Sequence, residues 1–495
     1  MSVCPVERLP HESSESSWRT EIFEFLNEKL DQLETESSMD KIEDITGAIF
    51  QNKSEILGRM TLGLIKNRYG DLLEQEYYDC PTCGKRIKAW NKKVKRKVES
   101  LGGSFDLYRP YFYCRSCNAG FYPLDEALGL SESKKQYDIQ ALEAWLSSEL
   151  PFETTAEAFS RCTGDTLSAD HAFQTANRIA NRLDILDICP SKEEIEERTA
   201  DLAAGKFRRP VMMLAIDGAH APTRPEPSPW KGKRGKGKYQ EVKGFRLYLV
   251  DRDRIIHLIS WHQIQNDKQL AEALLTIKEA GLIPEEKIRL CAIGDGASWI
   301  WNRVREIFPN IKEILDFFHC SEYIHDLANE QYGKDTRNAQ EWVEATFVRL
   351  FHNRVADVIA GVKRMKARSN EAEEQIATVV RYLSNHREKM EYGAARRAGY
   401  HIGSGAIESA NKFISHVRLK RSGAWWYETN ANNILKLRCA KYNKTYDKTM
   451  EVYKQSDREQ NYAKFGSKQK AYSETPDAPF LYGQQRIAFF LISEF

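Results

Sequence analysis

Two short cysteine pairs, Cys80-Pro-Thr-Cys83 and Cys114-Arg-Ser-Cys117, constrain this chain more than any other feature. Each C-x-x-C turn offers two thiolates from a tight knuckle, and two knuckles supply the four soft ligands that zinc takes as a tetrahedron. The interval between them is longer than the usual roughly 15–20 residues. Its stretch VESLGGSFDLYRPYFYC, with a glycine turn, reads as a hairpin that folds the knuckles together. The expectation is one structural Zn²⁺ in a ribbon over residues 79–125. Such a site is closed, so it gives shape rather than catalysis. A redox dithiol pair, or thiols with no ion, are the alternatives. The other six of the ten cysteines are scattered, unlike a secreted disulfide framework, so reduced thiols are expected.

The 495 residues are enough for two or three cores, and 29% charged with 41% hydrophobic residues describe a multidomain globular chain. No apolar run approaches the roughly 18 residues needed to span a bilayer. MSVCPVERLPHESSESS lacks the charged-then-apolar order of a secretion signal, so no membrane and a cytoplasmic location are expected. The formal charge of +2 conceals segregation: the chain is acidic to about residue 79, whereas GKRIKAWNKKVKRK (84–97) and KGKRGKGK (231–238) carry no acid. One basic run is usually a solvated face; several in one chain point to a polyanionic partner. In the ribbon, Trp90 and the aromatics between Tyr108 and Tyr113 would suit phosphates, sugars or bases, or else cover a small core.

Apolar periodicity divides the chain further. Residues 1–20 read as a disordered tail, and 21–78 as an acidic helical region with three- and four-residue spacing. Residues 132–190 are helical and punctuated by Pro151 and Thr163-Gly164, which fits either a helix-turn-helix or a connector that touches no DNA. From about 205 to 325 short β-type runs alternate with helices in the order βββαβαβ. Residues 326–400 are helical throughout and interrupt that unit. Residues 401–450 open a further helix and turn basic and aromatic, and 451–495 read as a tail whose apolar end, 480–495, fits no element.

Three carboxylates stand out. Asp217 follows VMMLAI at the expected end of the first strand, and Asp295 follows IRLCAIG at the end of the fourth. With right-handed crossovers these strands lie parallel and adjacent, which brings both acids to one mouth. Each precedes a glycine, which would let the backbone turn away and leave the side chain in the crevice. Ser404 and its flanking glycines are helix-start residues, so Glu408 falls in the first turn of a helix returning to the α/β unit. Clustered carboxylates repel one another, so a trio makes sense chiefly around hard divalent cations.

These motifs together resemble the RNase H-like DDE transposases, with closest similarity to bacterial insertion-sequence transposases of the ISKra type. The resemblance rests on IDGAHAP, IGDGASWIW, LDFFHCSEYIHDL, IGSGAIESANK, RLKRSGAWW and the cysteine ribbon, over roughly residues 79–441. It implies an RNase H-like α/β catalytic domain with an all-helical insertion, preceded by a zinc ribbon and a helical DNA-binding region. It implies that Asp217, Asp295 and Glu408 hold two Mg²⁺ or Mn²⁺ ions. Asp316 and His319 would form a supporting D-x-x-H element. The implied activity is cleavage at element ends followed by strand transfer into target DNA, by a homodimer or larger assembly in the bacterial nucleoid. For DNA contact the candidates are Lys231, Lys233, Arg234, Lys236 and Lys238, expected beside the metals, with Arg418, Lys420, Arg421, Trp425 and Trp426. A nuclease that never joins strands, or a zinc-ribbon regulator without activity, are the competing readings.

Overall fold

The computed structural model describes residues 15–35, 41–225, 236–252 and 254–466; Lys231, Lys233, Arg234 and the apolar stretch 480–495 lie outside them. The described residues form two compact units, one of those up to residue 136 with 457–466 and one of those between 137 and 456. No described helix is long and apolar enough to cross a membrane.

In the first unit, helices Glu15–Thr35 and Ile42–Glu74 precede an antiparallel meander of β1 (Tyr77–Asp79), β2 (Arg86–Ser100), β3 (Gly103–Cys114) and β4 (Ala119–Phe121). The first helix starts at Glu15, inside the stretch read from sequence as tail. The second helix and the ribbon share a core: Val98, Phe105, Leu107 and Leu124 pack with Leu62, Ile65, Tyr69 and Leu72 of that helix. Backbone meets backbone at Gly58, where a Cβ would overlap the Ser104 carbonyl, and the tight β2–β3 turn puts Gly103 at φ +92°. Beneath the meander, the buried Arg109 guanidinium grips both Asp125 oxygens at 2.7 and 2.9 Å, and Arg96 adds a third contact at 2.6 Å. Paired in this way, the buried charges are satisfied.

The second unit is built on a five-stranded sheet of β5 (Val211–Thr223), β6 (Lys238–Asp251), β7 (Arg254–Ile264), β8 (Arg289–Gly294) and β9 (Lys312–Leu315). Its spatial order is β7-β6-β5-β8-β9, with β5–β6 and β6–β7 antiparallel and β5–β8 and β8–β9 parallel. Helix Asp267–Glu279 carries the crossover from β7 to β8, opened by a capping box in which Asn266 and Gln269 bond each other's backbone N–H. Helix Ser298–Ile307 carries the crossover to β9. With both faces covered, β5 and β8 read as continuous apolar runs rather than alternating ones.

Helices Phe317–Tyr332, Arg337–Phe351, Val355–Lys363, Asn370–His386 and Tyr392–Arg397 make up the helical interval, which begins at Phe317 rather than 326. The helices Tyr137–Glu149, Phe152–Thr163 and Ala169–Ala180 contribute to the same core as the sheet. The third of them is tied to helix Glu428–Tyr442, where Asn433 donates to Asn177 at 2.9 Å and Asn181 at 2.8 Å. Helix Tyr446–Gly466 continues past residue 451, into the stretch read as tail.

Replacing Gly58 by Ala is expected to destabilise the first unit by about 1–3 kcal/mol through overpacking. Denaturant unfolding followed by circular dichroism measures this, with Gly47→Ala as control, because a Cβ at Gly47 meets nothing within 4 Å.

Candidate active site and zinc site

The four thiols of Cys80, Cys83, Cys114 and Cys117 lie within 4.8 Å of one another. The Cys80–Cys117 and Cys83–Cys114 sulfur separations are 3.8 and 3.7 Å. A tetrahedron of sulfurs about 2.3 Å from zinc has edges of about 3.8 Å, so the donor set fits the ion. Cys80 and Cys114 are buried and Cys83 and Cys117 partly so, which is the closed geometry of a structural site. Burial raises the Cys80 thiol, but N–H donors from Cys83 and Thr82 and neighbouring thiols outweigh it and bring the pKa to about 7. On the outer face, Trp90 is 63% exposed, with Arg115 at 5.8 Å over its ring and Tyr113 against its edge. Tyr77 is flanked likewise by Arg86 and Lys88.

In the second unit, the last β5 residue paired in parallel with β8 is Ala215, opposite Ile293. Asp217 stands two residues on and Asp295 follows the end of β8, so both acids sit at the same edge of the β5–β8 pair. The expected strand end at Asp217 is corrected: β5 runs on to Thr223, fully paired with β6, and Asp217 lies opposite Gly244. The two Asp-Gly pairs therefore differ in kind. Gly296, at φ +101°, makes a true turn after Asp295, whose Oδ1 accepts from Ala297 N at 2.8 Å. Gly218 makes no turn; a side chain there would strike Glu241.

Glu408 is carried by helix Gly405–Asn411, and three contacts place that helix. Arg246 of β6 donates from Nη1 to the Ala406 carbonyl at 2.6 Å. Asn411, three residues beyond Glu408, donates from Nδ2 to Asp217 Oδ2 at 2.8 Å. The third contact runs through Asp316, which has no solvent exposure. Its Oδ1 accepts from the Ser404 and Phe318 N–H groups, and its Oδ2 from His319 N and Ser404 Oγ, at 2.9–3.2 Å. Ser404 Oγ is also 2.7 Å from Glu408 Oε1. Asp316 is thus the N-cap of helix Phe317–Tyr332 and an anchor behind Glu408. His319 is partly exposed, 3.4 Å from Glu322 and 3.9 Å from Asp316.

Electrostatics tie the three acids together. Burial, with repulsion from Asp295 and Glu408, raises Asp217 from 3.8 to about 6 against the opposing pull of Gly218 N–H and His319. Their oxygens do not gather within 4.8 Å as a threesome, as the four sulfurs do. Carboxylate oxygens are the hard donors that a divalent cation would take. The helical interval reaches this edge too: Tyr382 O–H donates to the Asp295 carbonyl at 3.2 Å, and a Cβ on Gly296 would press on His386.

The DNA-contact candidates separate clearly. Lys236, Lys238, Lys420 and Arg421 are exposed. Arg421 also bonds the Val417 and Glu149 carbonyls. Arg418 is buried, donating to the Ser147 carbonyl and lying over the Phe152 and Trp426 rings, so its assignment to DNA is corrected to packing. Trp426 is likewise buried: its Nε1 donates to Leu419 O, and its backbone bonds Pro222 and Arg224 as an added rung beside β5. Trp425 is 44% exposed, edge-on to the exposed Tyr239. Lys238 pairs with Thr223, six residues past Asp217. At about 3.3 Å per residue that is about 20 Å, so this basic end of the hairpin is not beside the acids as expected.

Sequence reading missed Asn411, Ser404 as a side-chain anchor, and Arg246. Of these, Asn411 was the one within reach, because an i, i+3 neighbour of Glu408 shares its helix face.

An acid whose folded pKa is raised destabilises the fold progressively as pH climbs from its ordinary value toward the raised one, and fully above it. In the metal-free protein Asp217→Asn is therefore expected to add about 1–3 kcal/mol of stability at pH 7.5 and little below pH 4. Urea titrations at both pH values with chelator present measure this. In the ribbon, Cys83→Ser is expected to abolish binding of one zinc per chain by elemental analysis, whereas Cys162→Ser, an exposed thiol outside the cluster, leaves it intact.

No protein-family model and no curated protein matches the chain. Among solved structures it is similar to one described as a Drosophila P element transposase strand transfer complex, with a TM-score of 0.34 and 9% identity, covering 63% of this chain and 93% of that one.

Proposed function

We propose that the chain is a DDE transposase with an RNase H-like catalytic domain, which cleaves element ends and joins the freed 3′-hydroxyls to target DNA. What supports this reading is that Asp217 and Asp295 stand at one edge of the β5–β8 pair in a 3-2-1-4-5 sheet and that Glu408, on a helix following the helical interval, acts electrostatically on Asp217. The same edge is where parallel strands leave a crevice for a ligand.

In this reading Asp217, Asp295 and Glu408 hold the ions. Divalent cations bound there supply Lewis acidity for the attacking water or hydroxyl and for the leaving oxygen. The chain's own residues fix the acids beforehand. Asn411 and Gly218 N–H orient Asp217, the Ala297 N–H orients Asp295, and the Ser404 hydroxyl, whose single proton can go to Asp316 or to Glu408, lies 2.7 Å from Glu408. Lys236, Lys238, Tyr239 and Trp425 form a basic, aromatic surface at the far end of the β5–β6 hairpin that suits backbone phosphates and an unpaired base. The Trp90–Arg115 face of the ribbon suits a second stretch of duplex. Double-stranded DNA is thus the proposed partner, and joining two element ends calls for at least two copies of the chain.

The test is a plasmid assay with this gene's own flanking DNA as element ends, in Mg²⁺ or Mn²⁺. Intact protein is expected to give end cleavage and joined products. Asp217→Asn, Asp295→Asn and Glu408→Gln should each reduce both at least a thousandfold while retaining end binding in gel-shift measurements. Cleavage without any joined product would establish the nuclease reading instead; binding without cleavage by the intact protein would establish the regulator.

A further inference from the structure

Behind Asp217 lies a buried polar group that the proposed chemistry does not use. Across the sheet at this level the residues run Asp217 on β5, Gly244 on β6 and His262 on β7. Because Gly244 has no side chain, the His262 ring occupies the space above it; a Cβ on Gly244 would collide with the imidazole. His262 has no solvent exposure, and neither ring nitrogen has a hydrogen-bond partner of good geometry. Asn411 Oδ1 is in the same condition, while Asn411 Nδ2 donates to Asp217 at 2.8 Å. The two orphaned groups flank the same carboxylate: the His262 ring lies over Gly244, the residue opposite Asp217, and Asn411 bonds Asp217 itself, with the Asn411 amide acting on the imidazole against the effect of burial.

A buried imidazole with no bond costs desolvation that a leucine in the same space would not. An asparagine beside an anion has one useful orientation, with its NH₂ toward the carboxylate, and its oxygen then needs a donor from the other side. His262 is placed to be that donor. We propose that His262 donates a ring N–H to Asn411 Oδ1, so that the Asn411 amide is locked with Nδ2 on Asp217 Oδ2 and the carboxylate is pre-set for its ion. His262 and Asn411 are thus positioning residues for Asp217, and the part of the proposal that concerns the ion rests on the metal-site reading above. Outer-shell partners of this kind are typically worth about 10- to 100-fold in metal affinity.

The experiment has two readouts on the full chain. In metal-free crystals of His262→Leu, the Asn411–Asp217 contact is expected to open beyond 3.5 Å; a contact unchanged from the intact protein overturns the relay. In Mn²⁺ titrations followed by electron paramagnetic resonance, His262→Leu and Asn411→Leu are expected to bind about tenfold or more weakly. His262→Gln, which keeps a donor, should recover most of that loss. Full Mn²⁺ affinity in His262→Leu also overturns the proposal. If Asp217→Asn and the intact protein bind Mn²⁺ alike, the metal-site reading fails, and the crystal readout still decides the relay. Should His262→Leu not fold, ¹⁵N-histidine spectra decide the same point: a His262 ring N–H signal that shifts in Asn411→Leu supports the relay, and an unmoved signal overturns it.

Discussion

The site depends on one buried carboxylate that faces no ligand. Asp316 sits without solvent exposure at the end of β9, and its two oxygens take donors from Phe318, His319 and twice from Ser404. An anion in that position would be costly without the three backbone N–H donors of Phe318, His319 and Ser404, and with these made it becomes a rigid node. Through it, the start of the helical interval and the start of the Glu408 helix are fixed to the same point, 88 residues apart in sequence. The backbone bond from Phe317 N to Ile402 O beside it closes the same junction. A long helical interval can then join the sheet without loosening the glutamate that follows.

Much of this was legible in the residues. The cysteine knuckles gave their own geometry, because C-x-x-C spacing leaves a thiol pair few ways to point. The βββαβαβ order followed from apolar run lengths and turn residues, and chirality placed β5 beside β8. What failed was local to strand ends and to long basic side chains. The Asp217-Gly218 pair looked like a turn, yet Gly218 is small because Glu241 crosses it, and β5 continues under the pairing of β6. Residues around Arg418 and Trp426 looked like a DNA-binding run because composition cannot tell a solvated arginine from one laid over two buried rings. The acidic helices and the ribbon looked separable because their charge differs, while the few apolar residues that join them are spread over sixty positions.

The two candidate sites express opposite solutions to grouping like charges. At the ribbon, four sulfurs are gathered at zinc-like spacing by tight turns, and protons or an ion must neutralise them. At the sheet edge, three acids are held by separate anchors, and burial first, with the repulsion of Asp295 and Glu408 added, raises the Asp217 pKa. The first arrangement favours permanence, the second a guest that can come and go.

The β5–β6 hairpin has a further consequence. It carries the chain about 20 Å past Asp217 in a fully paired ladder, which corresponds to about six base steps of duplex at 3.4 Å each. A stiff arm of fixed length is a ruler. Lengthening both strands by two residues would move its tip by about 7 Å with the same faces presented, whereas one residue would turn every side chain on it over. Under the proposed function, a change of this arm that keeps its faces comes in even steps, and would alter the distance between its basic tip and the acids in increments of about two base steps.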